Sequence, residues 1–229
     1  MQRVLLIRHG ECAMNLELDA RIGGQSNGSP LTALGEAQAA ALGARLAAEG
    51  VAAPPCFVST AVRAVDTARI AMEALGLEAA SALVADAALL EQDAGEWEGA
   101  LRSECYTAAV LAEIAADTRA FAAPGGESQA EVEERAFAFL KAAVLPAARI
   151  GGPPALVFGH GMAITCLLRR VLDSDARMTR KIALANASIT ELGFVPGGAG
   201  AAGAGGTAAA QPGWHVLRVN DCAHLAGLA

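Results

Sequence analysis

No Cys-x-x-Cys pair occurs in this chain, and its five cysteines, Cys12, Cys56, Cys105, Cys166 and Cys222, are odd in number and scattered. That excludes a disulfide framework as the organising device and points to a reducing compartment. An apolar run long enough to cross a bilayer is also missing. The opening apolar stretch, Val4 to Ile7, is too short for a secretory signal and stops at Arg8. The expectation is therefore a cytoplasmic protein, or an organellar one if a targeting segment has been trimmed. Positive charge is in short supply: the net charge is -7 at pH 7. Broad contact with a nucleic-acid backbone is not expected, whereas a few focused arginines are enough to hold a small anion. There is no His-Glu-x-x-His or other tight ligand cluster, so neither a metal nor a cofactor is called for. A cysteine opening a glycine-rich loop that ends in arginine is absent too.

What is present is a large apolar fraction, 54% of 229 residues, much of it alanine, which favours helix. Val4–Ile7 and Ala155–Phe158 are continuous apolar runs, the pattern of strands covered on both faces. Phe57–Val58 predicts another short strand, and Ser188–Phe194 with Trp214–Val219 a late hairpin pair. Helices are expected from Thr32, as N-cap, to a stop at Gly50, and over about 61–75, 127–145 and 162–172. In the helix over 127–145, Val132, Ala136, Phe139, Leu140, Ala143 and Val144 form one stripe at helical spacing. Strands alternating with helices predict a three-layer α/β fold, with a mostly parallel central sheet flanked by helices. One domain over 1–229 is expected, with a helical cap over about 100–123 and a flexible Gly/Ala-rich insertion over about 196–213.

Chemistry gathers after the predicted strands. Arg8-His9-Gly10-Glu11 follows the first, and Gly159-His160-Gly161 follows another. Sites in open α/β sheets form at the carboxyl ends of strands, so the two histidines are expected to face each other. Arg8 and Arg63 add planar guanidinium forks that match phosphate oxygens. The bland readings set His215 and His224 at surface or tail positions, Glu11 as a structural acceptor, and Ser59 and Asn186 as partners of backbone groups. Glu91, Glu96 and Glu98 compete for the part of a catalytic acid.

Arg8-His9-Gly10-Glu11, Asn15, Ser29-Pro30-Leu31-Thr32, and Ser59 with Arg63 and Thr67 open an ordered series. It continues through Glu91, Gly95-Glu96-Trp97-Glu98-Gly99, Pro124-Gly125-Gly126-Glu127-Ser128, Gly159-His160-Gly161 and Asn186-Ala187-Ser188-Ile189-Thr190. This series resembles the histidine phosphatase superfamily, of phosphoglycerate-mutase-like fold. The resemblance implies that His9 is the nucleophile, that Arg8, Arg63 and His160 clamp the phosphoryl group with Asn15 as a further donor, and that Glu91 is the proton donor and acceptor. It implies a small phosphorylated metabolite as partner. Two positions depart from the family's commonest pattern: Cys12 stands where threonine is usual, and the segment from Ile22 to Gly28 is expected to line the pocket, Gln25 included. The segment around Trp97 looks more like the phosphatase branch than the mutases; a phosphoglycerate mutase and a non-catalytic phospho-ligand sensor are the rivals.

Overall fold

The computed structural model describes residues 1–26, 28–78, 83–197 and 212–228. In chain order the elements are β1 (Gln2–Arg8), α1 (Ala33–Ala48), β2 (Cys56–Ser59), α2 (Val62–Ala74) and β3 (Leu83–Asp86). Then come the short α3 (Arg102–Cys105), α4 (Ala108–Ala116), α5 (Gln129–Phe139), the single turn α6 (Leu145–Ala147), β4 (Ala155–Gly159), α7 (Gly161–Leu172), β5 (Ile189–Val195) and β6 (Gly213–Asp221). The six strands form one sheet in the order β3-β2-β4-β1-β5-β6. β3, β2, β4 and β1 run parallel, and β5 and β6 are antiparallel additions on the β1 side. This is the expected three-layer arrangement with a mostly parallel sheet.

The alternation of a strand's side chains explains the layers. Leu5 and Ile7 of β1 pack with Leu42 and Leu46 of α1 and Ala64 and Ala68 of α2. Val4 and Leu6, on the other face, pack with Ala136 of α5 and Ile164 and Leu167 of α7. Both faces are covered, so β1 and β4 are apolar at every central position. α5 and α7 are also joined by charge: the buried Arg169 guanidinium donates to Glu133 Oε2 at 2.5 Å and to Gln129 Oε1 at 2.7 Å. The exposed Arg119, beyond α4, reaches the same Glu133 carboxylate at 2.9 Å and so ties the cap to this pair of helices.

Thr32 caps α1, its hydroxyl accepting from Gly35 N, and Gly50 follows the helix with φ +73°. The predicted helix over 127–145 is α5 continued by a π-helical stretch, Leu140–Val144. The expected helical cap over about 100–123 holds two short helices, α3 and α4, with Thr107 capping α4 and Asp117, outside helical geometry, ending it. β3 was not foreseen, because an edge strand whose Val84 side chain faces outward has no alternating apolar signal. His215 and His224 are both partly exposed, His215 in the last strand and His224 in the last turn. His215 sits in β6 opposite Gly193, and the half-buried His224 bonds through Nε2 to the Ala187 carbonyl at 3.0 Å. Of the expected insertion over 196–213, residues 198–211 lie outside the described residues, as does Asn27.

The loop after β1 crosses the start of α1 very closely. A Cβ on Gly35 would fall 1.9 Å from the Glu11 carbonyl oxygen, and one on Gly10 would fall 2.6 Å from the Gly35 carbonyl oxygen. Replacing Gly35 by alanine must therefore push α1 away from the His9 loop. Gly35→Ala is expected to cost about 1–3 kcal/mol of stability, the usual range for overpacking, read as a lower urea midpoint. An unchanged midpoint would show that this crossing has slack.

Candidate active site

β1 and β4 are parallel neighbours, with Arg8 opposite Gly159. The chain therefore delivers His9 and His160 side by side at the same sheet edge. His9 N donates to Gly159 O at 3.0 Å, and the two imidazole centroids are 5.2 Å apart in an edge-on arrangement. His9 is 4% exposed and His160 fully buried. The His9 carbonyl accepts from Ala187 N and from Asn186 Nδ2, each at 3.1 Å. Thr67 of α2 closes the other side: its hydroxyl accepts from Gly10 N at 2.9 Å and donates to Arg63 O at 2.7 Å.

The ring of His9 has a defined tautomer. Nδ1 lies 2.7 Å from the Gly10 carbonyl oxygen, so Nδ1 carries the hydrogen and donates it. Nε2 is then left with its lone pair. Burial, followed by the neighbouring Arg8 and Arg63 charges, lowers the His9 pKa to about 3. Burial, then the His9, Arg63 and Arg8 charges, holds His160 well below its ordinary value. Both imidazoles are neutral at physiological pH. His160 Nε2 is 2.8 Å from Ser59 Oγ, while its Nδ1 is buried without a partner among the described residues.

A cavity of about 240 Å³ opens over this edge, and Arg8, His9, Asn15, Arg63 and Glu91 line it. Arg8 donates to the Leu184 carbonyl through Nη1, and its buried Nε has no partner among the described residues. Arg63 holds the Ser26 and Gly24 carbonyls at 2.9 and 3.0 Å. Asn15 Oδ1 accepts from Cys12 N at 3.0 Å, from Cys12 Sγ at 3.2 Å and from Asn186 Nδ2 at 3.1 Å. Its amide nitrogen is thereby turned to other use. Cys12 is buried and also lines the cavity; its thiol fills the place of a hydroxyl as a donor to Asn15.

Glu91 sits at the N-terminus of α7. Its carboxylate accepts from Met162 N and Ala163 N, both at 3.0 Å, and from Gln92 N at 2.9 Å. Of the three competing glutamates, Glu91 alone lines the cavity. Glu98 instead accepts from Gln25 N at 2.5 Å, a contact open only because Gly24 has no Cβ: one there would stand 2.0 Å from Glu98 Oε1.

Not every expected residue is in the wall. Gln25 is a correction: it lies outside the lining and works as a strut, its side chain donating to Glu91 O at 3.0 Å and to Glu127 Oε2 at 3.2 Å. Ile22, Gly23 and Gly24 of the same loop do line the cavity. The buried His160, its ring centroid 5.2 Å from that of His9, is not among the lining residues either. Glu11 is a structural acceptor, taking hydrogen bonds from Thr32 Oγ1 at 2.8 Å and Thr32 N at 3.0 Å. Sequence reasoning missed Arg135 of α5. Its guanidinium donates to the Ala88, Leu90 and Glu91 carbonyls, each at 2.9 Å, and to both oxygens of Glu127, and so fixes the Glu91 loop. A charged residue directly before Ala136, on the apolar stripe of α5, was the available signal.

A neutral imidazole with a free lone pair, two guanidinium groups and a carboxylate on one cavity wall suit attack on a phosphoryl group. The comparisons agree. The sequence profile of the Histidine phosphatase superfamily (branch 1) matches residues 4–203. A probable phosphoglycerate mutase GpmB of Klebsiella pneumoniae is 35% identical, over 98% of this chain and 95% of that protein. The mycobacterial glucosyl-3-phosphoglycerate phosphatase has a solved structure that superposes with a TM-score of 0.74 at 25% identity, over 96% of this chain and 98% of that one. A Bacillus stearothermophilus protein, YhfR, shares the fold with a TM-score of 0.76 at 24% identity, over 98% of this chain and all of that one. Fold and site together define a phosphoric monoester hydrolase of the histidine type. The chain belongs to the histidine phosphatase superfamily, branch 1.

The depressed His9 pKa has a consequence for stability. Between about pH 3 and pH 6.5 the unfolded chain holds a proton on this imidazole and the folded chain does not. Stability therefore rises with pH across that window and is lost as pH falls from about 6.5. For His9 alone the loss between pH 7 and pH 5 is expected to be about 2 kcal/mol. Urea unfolding at the two pH values, for wild type and His9→Asn, checks this. The variant should lose distinctly less, and equal losses would place the imidazole outside the acid response.

Proposed function

We propose that the protein hydrolyses a small phosphomonoester, a sugar phosphate, phosphoglycerate or similar metabolite, through a phosphohistidine on His9 and without a metal ion. The observation that carries this reading is the His9 Nδ1 bond to the Gly10 carbonyl, which leaves Nε2 as a nucleophile beside Arg8 and Arg63. Nε2 attacks phosphorus in line, and the bond from phosphorus to the ester oxygen breaks. Arg8, Arg63 and the Asn15 amide nitrogen hold the equatorial oxygens, and His160, beside His9 and with its buried Nδ1 free of any partner among the described residues, supplies a further donor to the same group. The protonated Glu91 carboxyl gives its proton to the leaving alkoxide. Water then attacks phosphohistidine, the Glu91 carboxylate takes a proton from it, and phosphate departs with His9 restored.

Two further points belong to the same proposal. The whole chain acts as one domain, and all five cysteines are free thiols, which suits a reducing compartment. Among the described residues no helix is long and apolar enough to cross a membrane.

The curated relatives named as probable phosphoglycerate mutases favour a second reading. In it the phosphoryl group returns to the product and does not pass to water. The two are separated by supplying 3-phosphoglycerate with and without a bisphosphoglycerate primer. Primer-dependent isomerisation outrunning phosphate release would replace hydrolysis by the mutase reaction.

Phosphate release from a panel of phosphomonoesters, with excess chelator, tests the main proposal. Wild type should turn over, and His9→Ala should lose at least about a thousandfold in kcat, as enzymes do when a nucleophile is removed. Glu91→Gln should slow alkyl esters far more than aryl esters, whose phenolate needs no proton on departure. Activity that chelator abolishes, or that survives His9→Ala, would overturn the mechanism.

A further inference from the structure

The active-site cavity has a second wall that the phosphoryl chemistry does not use. Trp97, Tyr106, Ile114 and Phe121 line it from the cap side, and Leu18 and Ile22 from the loop after β1. The rings are contiguous: the Trp97 centroid is 5.5 Å from Tyr106 and 5.8 Å from Phe121. Ile114 is the one buried residue of α4, so the cap turns its apolar side to the cavity. The charges run the other way. Glu91, Asp93 and Glu127 are the acidic lining residues, and Arg8 and Arg63 stand beside His9. Arg102 is the remaining guanidinium among the described lining residues, and it lies over the Tyr106 ring, 4.8 Å from its centroid, in a cation–π contact.

We infer that the cap selects phosphomonoesters whose alcohol carries a ring or a compact apolar body, over esters of small acids such as phosphoglycerate. This rests on the phosphatase reading above and narrows its substrate class. An apolar body gains by leaving water for the wall of Trp97, Tyr106 and Phe121. A second anionic group finds the Glu91 and Asp93 carboxylates, a Glu127 already paired with Arg135, and one guanidinium stacked on a ring. Concave sites of this kind take affinity from apolar walls and orientation from a few polar groups.

The test compares kcat/KM of the full chain for 2-phenylethyl phosphate, ethyl phosphate and 3-phosphoglycerate. These are alkyl esters, so the comparison avoids the phenolate leaving group that favours aryl phosphates whatever the pocket. The phenylethyl ester should exceed each of the others by at least about tenfold, the usual return on added apolar contact in a fitting pocket. In Phe121→Ala that advantage over ethyl phosphate should fall by about threefold or more, through KM and not kcat. Inhibition of wild type by 2-phenylethylphosphonate against ethylphosphonate reads the same preference without a variant. If ethyl phosphate and 3-phosphoglycerate turn over as well as the phenylethyl ester, the inference falls and the phosphatase reading stands. If none of the three releases phosphate, the phosphatase reading falls and this inference with it.

Discussion

The parallel pairing of β1 with β4, at the centre of the sheet and covered by helices on both faces, is the constraint on which the rest of the site depends. Parallel neighbours end at the same edge, so the residues that follow them meet above it. Here those residues are His9 and His160. A slip of one residue in this register would turn Leu5 and Ile7 away from α1 and α2 and expose them to the wrong layer. The core therefore fixes the register, and the register brings the two imidazoles to 5.2 Å.

Electrostatics at that edge follow from burial and not from net charge. The chain is acidic as a whole, yet Arg8 and Arg63 stand beside two buried imidazoles. Keeping both histidines neutral avoids adding cations to that pair, and it leaves His9 Nε2 able to attack. The arrangement costs stability in acid and is suited to an anionic phosphoryl group, whose charge would meet the guanidinium groups. Backbone donors at the start of α7 play the complementary part for Glu91, holding its carboxylate on the same wall within reach of the Arg8 and Arg63 charges.

Around this centre the polar loops are tied down by long side chains. Arg135 gathers the carbonyls of the Glu91 loop, Arg63 those of the 24–26 turn, and Arg119 links the cap to Glu133. Arg135 and Arg63 satisfy carbonyls that irregular backbone would otherwise leave unpaired. The cap and the loop after β1 are thus held over the His9 end of the sheet while presenting apolar side chains to the cavity.

Much of this was legible in the residues. The apolar runs of β1 and β4 state that both faces are covered, Thr32 and Gly50 mark the ends of α1, and Arg8-His9-Gly10-Glu11 and Gly159-His160-Gly161 sit where strands deliver them. These are local signals, set by side-chain type and spacing along a few consecutive residues, and by themselves they determined the three-layer fold and the histidine–arginine centre. The wall of the cavity was decided only in three dimensions. Trp97, Tyr106, Ile114 and Phe121 come from separate short elements whose spacing has no period. Gln25 turns to Glu91 and Glu127 in preference to the cavity, and His224 reaches back to Ala187 across 37 residues of chain. Such contacts depend on which distant backbone group happens to be left unpaired beside a side chain, and only the folded chain brings the two together.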